Sequence, residues 1–347
     1  MIAVAPAAAT GIGSLPGTDS HEWSRAIAGE LPQFPHVPEL PARGPGADMV
    51  GRTMSLLAQV APDLAVETTP VGWRFADAPG RVMARARSWL AEDLDGIEQA
   101  LAGRRGPLKA QLTGPWTLAA SIETRGGERA VRDHGACRDI AEALAEAARR
   151  HVHEIQRRLP AAEVVLQLDE PSLPSVLAGG VTTASGLATY RAVDPARAQS
   201  HLGWVMDAVA SADALPGVHC CHPRAPIGLL RRAGALMLSV DPHVLDGAQE
   251  EPLGEAVEAD VLVLLGYAPS RPAAVPGAQA LAERIAGSAL EQYSRWGIPA
   301  EMANACVSLT PSCGLAGADP GWVRLVYAAL SVAGRLVRDD APVEEQS

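Results

Sequence analysis

The feature that most constrains the fold of this chain is a regular alternation of short apolar segments with longer amphipathic ones. Eight short runs of apolar and β-branched residues predict strands, at 10–15, 34–40, 108–112, 164–168, 217–221, 236–240, 261–265 and 306–309. Apolar residues at helical spacing predict helices between most of them, at 136–159, 186–212, 226–233, 277–296 and 322–337. Alternating strands and helices indicate parallel βα units, because a crossover must return the chain to the end where the previous strand began.

Eight βα units predict an α/β fold of the (β/α)8 TIM-barrel type, which typically needs about 250 residues. The 347 residues of the chain therefore accommodate one barrel and an insertion. We expect a single catalytic domain over 1–338, with the insertion after the second strand at about 44–106, and an acidic, frayed tail over 339–347. The insertion contains further predicted elements, a strand at 64–69 and helices at 49–60 and 81–102. A doubly wound open sheet is the alternative fold.

Charge and cysteine content argue against several classes of function. The net charge of −11, from 29 basic and 40 acidic residues, disfavours nucleic-acid binding, which needs clustered cations. No apolar run is long enough to span a membrane, and the first ten residues lack the basic leader of a secretory signal. Five cysteines in a chain of this length favour reduced thiols, and hence a cytoplasmic protein, over a disulfide scaffold.

The carboxyl ends of the predicted strands carry the candidate catalytic residues, because barrel enzymes build their sites there. His219 and Cys221 end the fifth strand, Asp241 follows the sixth, and Cys313 follows the eighth. Residues i and i+2 of a strand point to the same side, so His219 and Cys221 are expected to face one ion. Imidazole, thiolate and carboxylate donors are typical of zinc, and a catalytic zinc keeps one position for substrate. We therefore predict a zinc site formed by these four residues.

Other interpretations of the strand ends remain open from the residues alone. His222 and His243 are rival ligands, although a lone loop histidine is more often a surface residue. The alternative for the predicted ligands is simple packing, because free cysteine is often a core residue. Asp169 ends the fourth strand and is expected either to bind an amino group or transfer a proton, or to cap a helix or form an ion pair. Gly-Ile-Gly-Ser at 11–14 predicts a tight turn that brings backbone amides to a substrate carboxylate.

Six short motifs occur in order along the chain. They are Gly-Ile-Gly-Ser-Leu-Pro (11–16), Asp-Met-Val (48–50), Leu-Thr-Gly-Pro (112–115), Gln-Leu-Asp-Glu-Pro (167–171), His-x-Cys (219–221) and Pro-Ser-Cys-Gly-Leu (311–315). Together they resemble the C-terminal catalytic barrel of cobalamin-independent methionine synthase, and they extend from the first predicted strand to the last. The segment Thr-Gly-Pro-Trp-Thr-Leu at 113–118 alone equally resembles the related uroporphyrinogen decarboxylase barrels.

The resemblance implies a zinc-dependent methyltransferase that methylates homocysteine to methionine. The implied zinc ligands are the four strand-end residues, with Asp241 where the family usually has glutamate. Ile12 and Ser14 are implied to hold the substrate carboxylate, and Asp169 is implied to hold the amino group as the catalytic positioning residue. Zinc deprotonates a bound thiol, and the thiolate is the nucleophile in alkyl transfer.

Three positions depart from the family pattern. Gly51 stands where a glutamate helps to hold the amino group, Ser270 stands where a histidine is implicated in proton transfer, and Asp241 is shorter than glutamate. Glu39, in the turn Pro-Glu-Leu-Pro, is a candidate substitute in substrate binding. We expect no counterpart of the N-terminal half that helps to bind polyglutamyl folate in full-length enzymes. The methyl donor is therefore open between methyl-folate and a methylcorrinoid, either free or carried by a donor protein.

Three other functions are compatible with the same residues. A zinc enzyme of this superfamily can instead join the thiol to another electrophile, such as an epoxide. A decarboxylase-like barrel needs no metal, but it leaves the convergent histidine and cysteines without a purpose. A non-catalytic paralogue that binds a thiol or zinc agrees with the departures at Gly51, Ser270 and Asp241.

Overall fold

The computed structural model describes residues 4–183, 185–274 and 277–339. Its strands, in chain order, are β1 (Val66–Thr69), β2 (Gly72–Phe75), β3 (Gly106–Thr113), β4 (Ile122–Glu123), β5 (Ala162–Asp169), β6 (Leu215–His219), β7 (Met237–Val240), β8 (Leu262–Ala268) and β9 (Val307–Pro311). A six-stranded sheet has the order β3-β5-β6-β7-β8-β9, and all of its pairs are parallel. The prediction of parallel strands is therefore confirmed for the last six of the eight segments.

Helices connect the strands of this sheet. In chain order they are α1 (Ser20–Glu30), α2 (Met49–Val60), α3 (Arg81–Ala100), α4 (Pro115–Ser121), α5 (His134–Arg158), α6 (Leu173–Ala178), α7 (Pro195–Ser211), α8 (Ile227–Arg232), α9 (Glu250–Glu258), α10 (Ala278–Trp296), α11 (Ala300–Cys306) and α12 (Pro320–Asp339). Local sequence sets where several begin: the carboxylates of Asp133 and Asp194 accept hydrogen bonds from the first turns of α5 and α7. Short helices such as α4 and α6 escaped prediction, because six or seven residues show too little periodicity.

The first two predicted strands, 10–15 and 34–40, are wrong as regular strands. Within the described residues these segments and the adjoining Ala9 make only isolated parallel bridges, which are Ala9 to Leu309, Ser14 to Glu39 and His36 to Lys109. Prolines at 35, 38 and 41 have no amide N–H to donate, and Gly13 has a φ of +155°, so continuous ladders cannot form. The bridges nevertheless connect β9 to the first segment, the first segment to the second, and the second to β3.

The region between the second segment and β3 contains α2, β1, β2 and α3, so the helices and strand predicted there are confirmed with small shifts. β1 and β2 form an antiparallel hairpin. β2 also pairs in parallel with β4, which follows β3 in the chain, so these three strands form a second, small sheet. Most of the predicted tail lies outside the described residues, which end at 339. Among the described helices, none has both the length and the hydropathy required to cross a membrane.

Polar side chains without solvent exposure lie along β3 and β5. Lys109, Gln111 and Gln167 are all at most 3% exposed, in strands whose other residues are mostly apolar. A buried polar group is costly unless it is hydrogen-bonded, so such residues need partners. Their partners are the turn at 11–14 and the residues around it, which form the site described next.

A candidate metal and thiol site at the carboxyl ends of the strands

A histidine and two cysteines meet at the carboxyl end of the parallel sheet. His219 is the last residue of β6, Cys221 lies two residues beyond it, and Cys313 lies two residues beyond the end of β9. One potential ligand atom from each lies within 4.8 Å of the other two, and the two sulfur atoms are 3.5 Å apart. Chain segments separated by 92 residues therefore supply one cluster of soft donors.

Cys221 reaches the cluster differently from the prediction, which placed it on a strand with His219. β6 ends at His219, and the chain then turns through His222, whose carbonyl accepts a hydrogen bond from the Ala225 amide at 3.0 Å. The Cys220 amide still donates to the carbonyl of Ser239 in β7 at 2.9 Å, so the chain leaves the sheet just beyond the end of β6. The expectation that residues i and i+2 of a strand face the same side correctly placed His219 and Cys221 together, although only His219 belongs to the strand.

His219 has the environment of a metal-binding histidine. Its ring is buried, and its Nδ1 atom lies 3.0 Å from the hydroxyl of Ser239 on the adjacent strand. Its Nε2 atom is also buried and has no hydrogen-bond partner among the described residues. Buried polar atoms are nearly always paired, and ligating histidines typically use one nitrogen for the metal and the other for an orienting partner. The imidazole therefore has one oriented nitrogen and one free nitrogen.

The two sulfur atoms fit zinc. Tetrahedral zinc with Zn–S bonds of about 2.3 Å would separate its sulfur ligands by roughly 3.8 Å, close to the 3.5 Å between Cys221 and Cys313. The thiol contact lowers the pKa of Cys313 and raises the pKa of Cys221, because one sulfur donates and the other accepts. Two close thiols and an unpaired imidazole nitrogen form a donor set that zinc can bind.

The other predicted or rival ligands lie outside this cluster. Asp241 is not a member of the donor group within 4.8 Å, among the residues that the structure describes, and its Oδ1 accepts the amide of His243 at 3.0 Å. Burial raises the pKa of Asp241. His243 packs edge-on against Tyr267, and His222 accepts the amide of Arg224 through Nδ1. Zinc ligation by Asp241 remains a prediction.

A cavity of about 260 Å³ adjoins the donor cluster. Its wall contains the three clustered donors and every residue predicted to bind substrate, and its residues are Ile12, Gly13, Ser14, Glu39, Pro41, Ala47, Asp48, Met49, Asp169, Pro171, His219, Cys221, Cys313 and Gly314. Its contributors come from the turn at 11–14, the second segment, the start of α2 and three strand ends. The cavity thus joins sulfur, carboxylate and backbone groups in one small space.

Three acidic residues line this cavity: Asp48 caps α2, and Asp169 and Glu39 each have a side-chain partner. Asp169 accepts a hydrogen bond from Gln167 Nε2 at 2.7 Å, and burial raises its pKa while His219 and Lys109 oppose the shift. Glu39 lies 3.3 Å from the guanidinium of Arg52, and burial raises its pKa while Arg52 opposes the shift. The pair makes this wall suited to a positively charged group.

Glu170, next to Asp169, has a structural role. Its carboxylate accepts the amides of Trp116 and Thr117 and the hydroxyl of Thr117, at 2.7–2.9 Å. These groups belong to the first turn of α4, where free N–H groups attract anions. The Asp-Glu-Pro motif therefore divides its roles: Glu170 holds the start of α4, and Asp169 faces the cavity.

Gly51 has no space for a side chain. A Cβ atom there would lie 2.6 Å from the Cα of Gly46 and 2.7 Å from the Trp73 ring. The indole of Trp73 donates to Asp48 Oδ1 at 3.1 Å, and the same oxygen caps α2 by accepting the Gly51 amide. The absence of a glutamate at position 51 is thus tied to the hairpin residue Trp73, which fills the volume that a side chain would need.

Several residues that support the site escaped sequence prediction. Arg52 is 3% exposed and binds both Glu39 and Asp93, and Arg43 donates to the same Asp93 at 2.9 Å. No local pattern announces an arginine that is buried by tertiary packing. Lys109 did carry a signal, because it is the only lysine in the chain and lies within an apolar strand.

Comparisons with known proteins show the fold. No protein-family model and no curated protein sequence matches this chain. A solved structure of a B12-independent methionine synthase from a Shewanella species, in complex with selenomethionine, aligns with a TM-score of 0.56 and 12% identity, and the alignment covers 96% of this chain and 98% of that one. At this identity the likeness establishes a fold of the TIM-barrel type and nothing more specific.

Other solved structures align less well. A GH5_18 enzyme from Streptomyces cattleya aligns with a TM-score of 0.47 and 14% identity, covering 95% of this chain and 80% of that one. An oxaloacetate acetylhydrolase bound to oxalate aligns with a TM-score of 0.37 and 14% identity, covering 96% and 80%. These likenesses are too weak to bear on function.

Proposed function

We propose that this chain is a zinc-dependent thiol methyltransferase that converts homocysteine to methionine. The observation that carries the proposal is the cluster of His219, Cys221 and Cys313 in the wall of a small cavity that also includes Asp169 and Glu39. Soft metal donors beside a site for a positively charged group suit a substrate with a thiol at one end and an ammonium at the other. The order of the sequence motifs supports the same conclusion.

His219, Cys221 and Cys313 would hold the zinc, and Ser239 would orient the His219 ring through Nδ1. Asp241 is the proposed fourth ligand of the resting site. Zinc, when bound, lowers the pKa of a thiol that coordinates it. The cysteines of the chain act as ligands in this proposal and do not attack the substrate.

Asp169 and Glu39 would bind the substrate ammonium, and the turn containing Ile12 and Ser14 would bind its carboxylate. Fixing both groups orients the sulfur towards the methyl carbon, which is the positional part of catalysis. The S–C bond forms as the bond between the methyl carbon and the donor breaks, and the electron pair leaves with the donor. The substrate thiol would lose its proton to solvent before the attack, because the thiolate is the nucleophile. The Shewanella neighbour was solved with selenomethionine, an amino acid shaped like the proposed product.

The proposal extends to the domain organisation. We propose one catalytic unit over 1–338, with an insertion at about 44–106 and a barrel completed by the two N-terminal segments. The single bridges that connect those segments to β3 and β9 support this closure. The methyl donor is proposed to be methyl-folate or a methylcorrinoid, free or on a donor protein.

The proposal is tested by incubating the zinc-loaded protein with homocysteine and either methyltetrahydrofolate or methylcobalamin. We expect methionine to form with at least one of the two methyl donors, because the zinc site activates the thiol whichever methyl donor is used. A parallel incubation with an epoxide tests the other alkyl-transfer chemistry. Binding of zinc and homocysteine without transfer from any donor would instead support the non-catalytic paralogue.

A further inference from the structure

Lys109 donates to the back of the cavity wall. Its side chain is fully buried, and its ammonium lies 2.6 Å from the carbonyl oxygen of Ile12 and 3.3 Å from Oε1 of Gln111. The same carbonyl accepts a second hydrogen bond from Gln167 at 3.1 Å. Lys109 does not itself line the cavity, so any influence on a bound molecule acts through the backbone that does.

The peptide unit between Ile12 and Gly13 transmits this contact. The described residues contain no cis peptide bond, and the C=O and N–H of a planar trans unit point in opposite directions. Anchoring the Ile12 carbonyl on Lys109 therefore directs the Gly13 N–H away from Lys109, to the side where Gly13 and Ser14 line the cavity. No acceptor in the described part of the chain pairs with the amide N–H of Gly13 or Ser14.

We propose that Lys109 is a positioning residue for carboxylate recognition. Through Ile12 it holds the Gly13 amide, next to the Ser14 amide, towards the carboxylate of the thiol substrate, so the inference rests on the proposed function. A charged donor makes a stronger hydrogen bond than a neutral one, and it places positive charge behind the peptide that meets the anion. Gly13 packs closely against the Gln111 side chain, because a Cβ atom on Gly13 would lie only 2.8 Å from it.

The positive charge of Lys109 also offsets the negative charge on the carboxylate-lined wall of the cavity. Lys109 interacts electrostatically with Asp169 and Glu39, which line the same cavity. An anionic group entering beside these carboxylates would otherwise be repelled. A buried cation on the carboxylate-binding side offsets their charge, which lets one cavity hold the ammonium and the carboxylate of a single amino acid.

The test compares homocysteine with 3-aminopropane-1-thiol, which is homocysteine without its carboxylate. Affinities of both thiols for zinc-loaded wild type, Lys109→Met and Lys109→Gln are measured by calorimetry at neutral pH. We expect Lys109→Met to weaken homocysteine binding by about 10- to 100-fold and to leave the decarboxylated thiol within about 2-fold. Lys109→Gln should lose less, because its amide can still donate, and it carries the test if the methionine variant does not fold.

Tyr327→Phe is the matched control. The Tyr327 hydroxyl lies 2.9 Å from His36 Nε2, in the same buried region, and forms no hydrogen bond with Ile12 among the described residues. This variant should leave both affinities unchanged. An equal loss of both thiols in Lys109→Met, or homocysteine affinity that does not change, would overturn the role of Lys109. Wild-type protein that binds neither thiol would contradict the proposed function itself.

Discussion

Replacing Cys313 with serine is expected to remove zinc and methyl transfer together, with kcat/KM lowered by at least about 10³-fold. The reason is that the proposed zinc site loses one of its two thiolates, and metal activation of a nucleophile is worth several kcal/mol. Serine keeps the shape of the side chain but is a poor zinc ligand. The measurements are zinc content of the purified variant and initial rates of methionine formation.

Cys306→Ser is the control for this variant. Cys306 is buried and immediately precedes β9, the strand that leads to Cys313. Its sulfur contacts Asp260 instead of the cavity. Zinc content and rate should stay within about 2-fold of wild type. Cys306 is not part of the metal cluster, so replacing its thiol with a hydroxyl should affect only the stability of the protein. A Cys313→Ser protein that retains one zinc per chain and full activity would contradict the proposed site.

Replacing Arg52 with methionine is expected to lower the free energy of unfolding by about 3–5 kcal/mol, because it leaves buried carboxylates without their cation. Arg52 joins Glu39 to Asp93, and these two carboxylates are only 5% and 0% exposed. Arg43 still contacts Asp93, so Glu39 loses its partner most completely. The loss is measured by urea unfolding, and a raised KM for homocysteine is expected with it.

Arg157→Met provides the comparison for Arg52. Arg157 pairs with Glu154 at 2.7 Å on the surface of α5, where its side chain is 67% exposed. Exposed pairs contribute little, so this variant should change stability by less than about 1 kcal/mol. A similarly small change in Arg52→Met would show that the buried network does not hold Glu39 in place.

The sequence predicted the fold where residues form ladders and missed it where they do not. Apolar runs from 108 onwards became strands, because nothing in them prevents main-chain pairing. The segments at 10–15 and 34–40 have the same apolar character, but glycine and proline reduce their pairing to single bridges. Strand periodicity alone does not reveal that difference.

The part of the candidate site formed by metal-binding side chains at strand ends was predictable from the sequence. His219, Cys221 and Cys313 were chosen by residue type and position, and their ligand atoms lie within 4.8 Å. Arg52 and Trp73 were not predictable, because their roles depend on contacts between elements far apart in the chain. Trp73 belongs to the small hairpin, yet its ring, together with the backbone of Gly46, leaves no space for a side chain at position 51.

The central claim is that zinc is held by two protein sulfurs and has a position for the substrate thiol. X-ray absorption at the zinc edge, with and without homocysteine, measures the number of sulfur ligands directly. The account predicts two sulfur ligands, from Cys221 and Cys313, in the zinc-loaded protein and three after homocysteine is added. A sulfur count that does not change on adding homocysteine, or zinc bound without sulfur, would contradict it.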